Sequence, residues 1–476
     1  MNLESSWDVV VCGAGPAGMC AAVAAAKNGA KTLLIERHGF LGGSSTVCSV
    51  GPFMPFLVRG FELEGPPIQV IEGLGNEVVE RLVMAGGSPG HIPEYTPFDP
   101  EILKGVYLEM AEEAGVHLVL HSLIVDSIVE GDSIRGVVVE NKSGRQALMG
   151  DVVIDTTGDG DVAAKAGAPY ELGWPESGLT QPPTLFIRVS HIDVDEFWNY
   201  AVGNGRHFSH LFLPEGTPLE HWRFKPLKPV PKDKAYSSKW FMGKFLRDEV
   251  NEAKSSGALY FGREEVNIYT DVFEGDFILN ATRAMGGSSM VDVRNLTKAE
   301  IDARKQAMSI VAFLRKQLPG FKEARIRSTG PQLGVRETRR IAGEYKLTVE
   351  DVREERKFHD GIAIYGYPVD VHNPVGPNQA FGMAWEERFP KNGCTYDVPY
   401  RCLVPKKVEN LLVAGRCISS DPMANGSIRV QPCCMATGQA AGTAAALAVG
   451  IGVTPRKLDF PELREVLLDQ GVKLAI

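Results

Sequence analysis

A glycine turn set between a short apolar run and an alanine-rich helix constrains this chain more than any other stretch. Trp7-Asp8-Val9-Val10-Val11-Cys12 reads as a buried strand. Gly13-Ala14-Gly15-Pro16-Ala17-Gly18 follows, a match to GxGxxG, and opens a helix from Ala17 to Asn28 that Gly29 can cap. Lys31 to Ile35 makes a second strand, closed by Glu36. Strand, turn, helix, strand and terminal acid together form the dinucleotide-binding βαβ fingerprint in its required context. Gly13 permits the tight turn, and Gly15 with Pro16 and Ala17 brings backbone close to a pyrophosphate. Gly18 lets the helix pack tightly on the strand. The helix N-terminus adds free N–H groups and positive dipole. Glu36 suits the two hydroxyls of an adenosine ribose and would repel a 2′-phosphate, which disfavours NADP.

Composition narrows the classes around that motif. The 476 residues allow two or three domains. A net charge of −9, with no basic run or basic–aromatic stripe, disfavours nucleic acid and anionic membrane surfaces as partners. The start, Met1 to Ser6, is polar and acidic, so no leader is expected. Ala440 to Val453, apolar and rich in Ala and Gly, is shorter than the about 20 residues of a membrane span and reads as a buried helix. The 8 cysteines lack CxxC or zinc-like spacing, which predicts no metal site and a reduced, cytoplasmic setting. Cys48 and the Cys433-Cys434 pair are the thiols to watch for redox chemistry, although a role as small core residues is favoured for all three.

Further along, Gly42-Gly43-Ser44-Ser45-Thr46 suits a second approach to a bound cofactor. Val70 to Met84 has the pattern of an amphipathic helix, and Asp99 to Glu113 that of a helix with Pro100 in its first turn. Val116–Leu120, Leu123–Val129, Ile134–Val139 and Val152–Asp155 read as strands of a β-meander ending in Thr156-Thr157-Gly158-Asp159-Gly160-Asp161. Residues 165–395 hold most tryptophans, a proline-rich piece (Pro226 to Pro231) and one clear helix, Lys298 to Gln317. His207, His210 and His221 there have no metal-ligand spacing. The pattern then returns to α/β with a buried strand, Asn410 to Gly415, followed by Arg416 and a helix Cys433 to Val449 opened by Pro432. Its small face (Ala436, Gly438, Ala440, Ala441, Gly442) demands close packing against backbone or an aromatic cofactor. The expected organisation is an α/β, Rossmann-type domain with a β-meander in two parts, 1–164 and 396–476, around an inserted α+β substrate or cap domain, 165–395.

With these pieces in view, the chain resembles the bacterial FAD-dependent oxidoreductases of the glutathione-reductase-like flavoprotein superfamily, distant kin of succinate dehydrogenase/fumarate reductase flavoproteins. The matching stretches are Asp8 to Glu36, Glu36 to Gly43, Ile154 to Asp161, Gly334 to Arg340, Tyr367 to His372 and Asn410 to Ala446. The resemblance implies FAD. It places Gly13, Gly15, Ala17 and Gly18 at the pyrophosphate and Glu36 at the ribose. Arg37, Gly43, Ser44 and Thr46 would flank the diphosphate and flavin, and Val125 would meet adenine through its backbone. Thr157 and Gly158 would approach from the second strand end, while Gly415, Val430, Gln439 and Ala440 would border the ribityl chain and flavin. Many relatives carry an acid where this chain has Arg416, so the ribityl contact differs here. The N-terminus of the late helix would face the flavin edge that gains negative charge on reduction. No histidine lies between Gly43 and Met54 to tether the flavin, so FAD is expected to be non-covalent. No CxxxxC follows the glycine loop and no second GxGxxG is visible, which argues against a disulfide reductase and a dedicated NAD(P)H domain.

For the chemistry, Arg336, Glu337 and Arg339 cluster after Gly334, Arg283 closes Asn280-Ala281-Thr282-Arg283, and Arg429 precedes the late helix. An arginine fork suits a carboxylate or other oxyanion. His372 suits acid–base work near neutral pH. His372, Arg336 and Arg283 are therefore the catalytic candidates, against a structural reading in which Arg336 and Glu337 form an interdomain ion pair. The expected activity is hydride transfer between flavin N5 and a small organic substrate. Its rivals are an oxidase or hydroxylase using oxygen, a flavin-binding subunit without its own chemistry and, more weakly, NAD in the opening site. The partners implied are a small-molecule substrate and an electron donor or acceptor; a homo-oligomer is left open.

Overall fold

A computed structural model of the chain describes residues 6–58, 68–91, 95–203, 208–209, 241–284, 289–376, 386–391 and 395–475. His207, His210, His221, Pro226 to Pro231 and Cys394 lie outside the described residues.

The apolar run at the start forms the strand Trp7–Cys12, with Val9, Val10, Val11 and Cys12 fully buried. Burial on both faces is what a parallel sheet covered by helices requires. Its neighbours are the parallel strands Thr32–Ile35 on one side and Gly144–Asp155 on the other. His117–Val119 and Leu411–Val413 extend the parallel part at its two ends. Gly144–Asp155 changes partner along its 12 residues. Its first half pairs antiparallel with Ser133–Asn141, which pairs in turn with Leu123–Glu130. Its second half runs parallel to the opening strand, with Gly150 opposite Trp7 and Asp155 opposite Cys12. The meander and the dinucleotide sheet are thus one sheet joined by one strand. The sequence reading caught only the Val152–Asp155 end, because the earlier part alternates buried and half-buried residues and lacks a continuous apolar run.

The opening helix, Pro16–Lys27, starts with proline at a position that needs no donor. The closing helix, Gln431–Ile451, lies along it in the same direction. A Cβ on Gly438 would fall 2.1 Å from the Ala17 carbonyl oxygen, and one on Gly442 would fall 2.0 Å from that of Ala21. The small face therefore packs against the opening helix, backbone to backbone. The closing helix also has 21 residues, more than the segment expected from sequence, and by length and composition it could cross a membrane. Its residues from Gln431 to Ala446 are instead buried within the fold. Leu74–Ala85 and Pro100–Glu113 form the two helices expected near them, the second capped by the Asp99 carboxylate on the N–H groups of Glu101 and Ile102.

The insertion folds on a second, antiparallel sheet. Its strand order is Phe208–Ser209, Met242–Phe245, Val266–Thr270, Phe277–Leu279, Ile187–Ser190 and Arg325–Thr329. The helix Val293–Gln317 covers it, starting earlier than the expected Lys298 because Asp292 caps a polar first turn. A second hydrophobic core runs from Leu185 to Leu333, whereas Ile341, Ile364 and Val371 pack in the first core. Measured by its core, the insertion is narrower than the 165–395 expected from composition.

The helix–helix contact makes a sharp prediction. Gly442→Ala forces a methyl into the Ala21 carbonyl and should lower the free energy of unfolding by about 1–3 kcal/mol or more in urea titrations. Gly450→Ala, on the same helix but with nothing within 4 Å of the added atom, should be neutral or stabilising by about 0.5–1 kcal/mol.

Candidate functional site

A cavity of about 540 Å³ opens where the glycine turn, the loop after the second strand, the end of the long strand and the start of the closing helix meet. One end has a wall of bare backbone. Gly13 has φ +99°, and a Cβ there would sit 2.9 Å from the Thr156 carbonyl oxygen. Gly43 has φ +48°, and its Cβ would sit 2.7 Å from the Cα of Gly15. Both conformations favour glycine. Gly15 itself would present a Cβ to open space, with nothing within 4 Å. Pro16, Ala17, Ser44, Thr157 and Gly158 also line this end.

Glu36 sits at the edge of the same space and is buried. One of its oxygens accepts the Ala14 N–H at 2.8 Å and the other the His38 N–H at 3.0 Å. The acid thereby fixes the glycine turn as well as facing the cavity. Arg37 donates to Gln332 Oε1 at 3.3 Å, across from the insertion. Arg416 reaches Asp159 at 2.8 Å, and the Thr338 hydroxyl donates to the same carboxylate at 2.6 Å. Burial raises the Asp159 carboxyl, but Arg416 and Thr338 outweigh it and hold the group below the usual carboxylate range. Gly415, Val430, Gln431 and Cys434 complete the wall, so the N-terminus of the closing helix faces the cavity.

The other end is polar and buried. His372 is 2% exposed, with Nε2 3.4 Å from Asp370 Oδ2 and its backbone N–H donated to Gln181 Oε1 at 3.1 Å. Its Nδ1 has no hydrogen-bond partner among the described residues. Burial, reinforced by the Arg336 charge, pushes the imidazole well below its ordinary value, so it is neutral at pH 7. Arg336 donates to the Pro182 carbonyl at 2.6 Å and to Asn280 Oδ1 at 3.3 Å. Arg429 donates to the Asp370 carbonyl at 2.9 Å and approaches its carboxylate at 3.4 Å. Tyr269, Tyr367 and Phe186 supply the apolar walls.

Several expected contacts lie elsewhere. Gly18 is behind the turn, where a Cβ would meet the Gly13 carbonyl oxygen at 1.8 Å; this is the helix–strand packing read from the motif, and not the pyrophosphate contact that the resemblance implies. The Thr46 hydroxyl turns inward to the Leu41 carbonyl at 2.7 Å. Val125 falls at the register shift between Ile124 and Asp126, and Ser122, Leu123 and Ile124 line the cavity in its place. Gln439 accepts the Leu74 N–H at 2.9 Å and so anchors a neighbouring helix, and Ala440 is core. Arg283 lines a second cavity and donates to the Asn373 carbonyl. The anticipated Arg336–Glu337 pair is absent because Glu337 pairs with Arg340. Cys48 and Cys434 line the cavity while Cys433 does not. Burial pushes the first two thiols up to about 11 and about 12, which keeps them protonated. Among the described residues no cluster could hold a metal ion. Sequence reasoning missed Asn280, Tyr269, Asp370 and Gln431, although Asn280 opens the very segment flagged for Arg283.

The family described as FAD dependent oxidoreductase matches residues 8–467. The chain belongs to that family. FAD is its cofactor, and the bare wall fits one: the flanking glycines leave room for a diphosphate, two helix N-termini converge there, and the Glu36 carboxylate lines the same cavity. A digeranylgeranylglycerophospholipid reductase of Methanosarcina acetivorans is 29% identical over 212 residues, 42% of this chain and 49% of that protein. A thiamine thiazole synthase of Methanococcus vannielii is 30% identical over 159 residues, 32% of this chain and 56% of that protein. The chain thus spans about half the length of these archaeal relatives. A geranylgeranyl bacteriochlorophyll reductase-like structure from Thermoplasma acidophilum aligns over 98% of this chain and 83% of its own, with 13% identity and a TM-score of 0.41.

Glu36→Gln tests the adenosine end. The charge-assisted contacts should be lost while the fold stays intact, so FAD should bind at least about tenfold more weakly. The ratio of visible to ultraviolet absorbance after gel filtration reads this directly.

Proposed function

We propose that this oxidoreductase transfers hydride between non-covalent FAD and a small organic substrate lodged between Tyr269, Arg336 and His372. One observation carries the reading: a neutral, buried histidine with an unpartnered Nδ1 shares a cavity with the glycine-walled dinucleotide end. FAD, when bound, supplies the hydride chemistry at its flavin ring. Everything else falls to the protein. Asp370 orients the imidazole through Nε2, which leaves Nδ1 as the atom that accepts or returns the substrate proton. The Arg336 guanidinium positions a polar group of the substrate, and the buried aromatic walls keep water from the reacting atoms. The N-terminus of the closing helix favours negative charge beside Val430 and Gln431. The meander joined to the dinucleotide sheet supports the wider glutathione-reductase-like kinship. The seven described cysteines are free and buried, which supports a reducing, cytoplasmic setting.

The decisive experiment is anaerobic mixing of the yellow protein with a broad metabolite panel, NADH and NADPH. Bleaching of the flavin by a metabolite is the expected result. Reoxidation that consumes oxygen and places it in the product would make the protein a hydroxylase, and no bleaching by any compound would leave a flavin-binding subunit. His372→Gln should lower turnover by about 10²–10⁴-fold with flavin content unchanged.

The pH profile follows from the environment of His372. Its folded value lies below the ordinary 6.5, so the neutral form persists as pH falls to that point. Turnover that needs neutral His372 should stay flat from alkaline pH down to 6.5 and drop only in more acid solution.

A further inference from the structure

The wall behind the substrate end carries more buried positive charge than the described acids balance. Arg263, Arg283 and Arg336 are all buried, and each guanidinium meets only neutral oxygens among the described residues. Arg263 donates to Asn280 Oδ1 at 2.9 Å and to the Thr282 carbonyl at 3.4 Å. Arg336 shares that same Asn280 oxygen at 3.3 Å. One neutral amide oxygen thus serves two cations. Arg429, the fourth, reaches a carboxylate, that of Asp370.

Asp370 is the carboxylate whose charge reaches Arg263, Arg283 and Arg336 in common, and Glu264 also acts on Arg283; one shared acid and its neighbour do not balance four buried guanidinium groups. Glu337 is paired with Arg340, and Glu265 with Arg247. His372 is neutral and adds nothing to either side. Burial depresses Arg336, and the charges of Arg263 and Arg429 depress it further. Buried charge without a counterion is costly, and a protein keeps it where a ligand completes the balance. Arg336 and Arg429 line the cavity, whereas Arg263 and Arg283 are set back from it, Arg283 on a second cavity, and the charges of both reach Arg336.

We propose that the substrate bound at this end is a dianion, a dicarboxylate or a phosphate monoester, held by Arg336 and Arg429. The two rearward arginines raise the local potential, so a second negative charge on the ligand gains more than it would in water. The inference rests on the flavin reading above for the reaction, but not for the binding.

The test uses the full-length, flavin-loaded protein at pH 8 and matched ionic strength. Malonate, glutarate and inorganic phosphate are titrated against propionate, with the flavin difference spectrum and the thermal midpoint as readouts. At least one dianion should bind about tenfold or more tightly than propionate. Arg336→Gln should erase that preference while retaining flavin. Binding of the dicarboxylates alone, or of phosphate alone, supports the proposal and names the source of the charge. Equal binding of propionate and the dianions, no saturable anion binding, or a full preference surviving in Arg336→Gln would each overturn it. If the variant fails to fold, the selectivity of the unmodified protein still decides. Colourless protein would count against the flavin reading alone, because the thermal shift reports on the arginines independently.

Discussion

The contact between the opening and closing helices organises this molecule. Ala17 and Ala21 on one helix meet Gly438 and Gly442 on the other at a four-residue spacing, so the two backbones touch without intervening side chains. Since both pairs advance in the same direction, the helices run parallel. Their positive ends both point at the cavity, through Gly15 to Ala17 and through Val430 to Cys434. Two like dipole ends side by side repel, and a bound diphosphate or an electron-rich flavin edge offsets that repulsion. The same contact draws together segments about four hundred residues apart in sequence, which is why the cavity exists only in the completed fold.

A second constraint is the long strand Gly144–Asp155. Its far half belongs to the dinucleotide sheet and delivers Asp155, whose carboxylate accepts the Thr157 and Ala163 N–H groups. Those bonds shape the turn that places Thr157 and Gly158 at the cavity. Its near half belongs to the meander. The insertion closes the far side through Asn280, and the segments that follow it bring Arg336 and His372 there, so that a backbone-lined end adjoins a charged one. Electrostatic character therefore changes sharply along one cavity: amide dipoles at one end, whole guanidinium charges at the other.

The fold was largely legible where period and punctuation agree. GxGxxG between an apolar strand and an alanine-rich helix, an acid at the next strand end, and proline or aspartate at helix starts each have a local physical cause. Position in a stretch that resembles the family is a weaker guide than local cause. Gly18 and Gly15 look alike in the motif, yet one packs against the strand and the other faces open space. Gln439 looked like a flavin contact because of its position in a matching stretch, but its amide is used to hold the Leu74 N–H. Val125 falls at a register shift, which leaves no mark in hydrophobic period.

By itself, the sequence determined the glycine-turn βαβ unit, the acid that closes it and the α/β class, because each follows from backbone geometry and hydrophobic period within a few dozen residues. Tertiary structure alone decided which arginines face the cavity, that Arg283 points away from it and that Glu337 belongs to Arg340. It also decided that His372 is neutral, since that depends on burial and on Arg336 approaching from another segment. Side-chain partners and local dielectric are set by what the chain brings together, and no short stretch of residues contains that information.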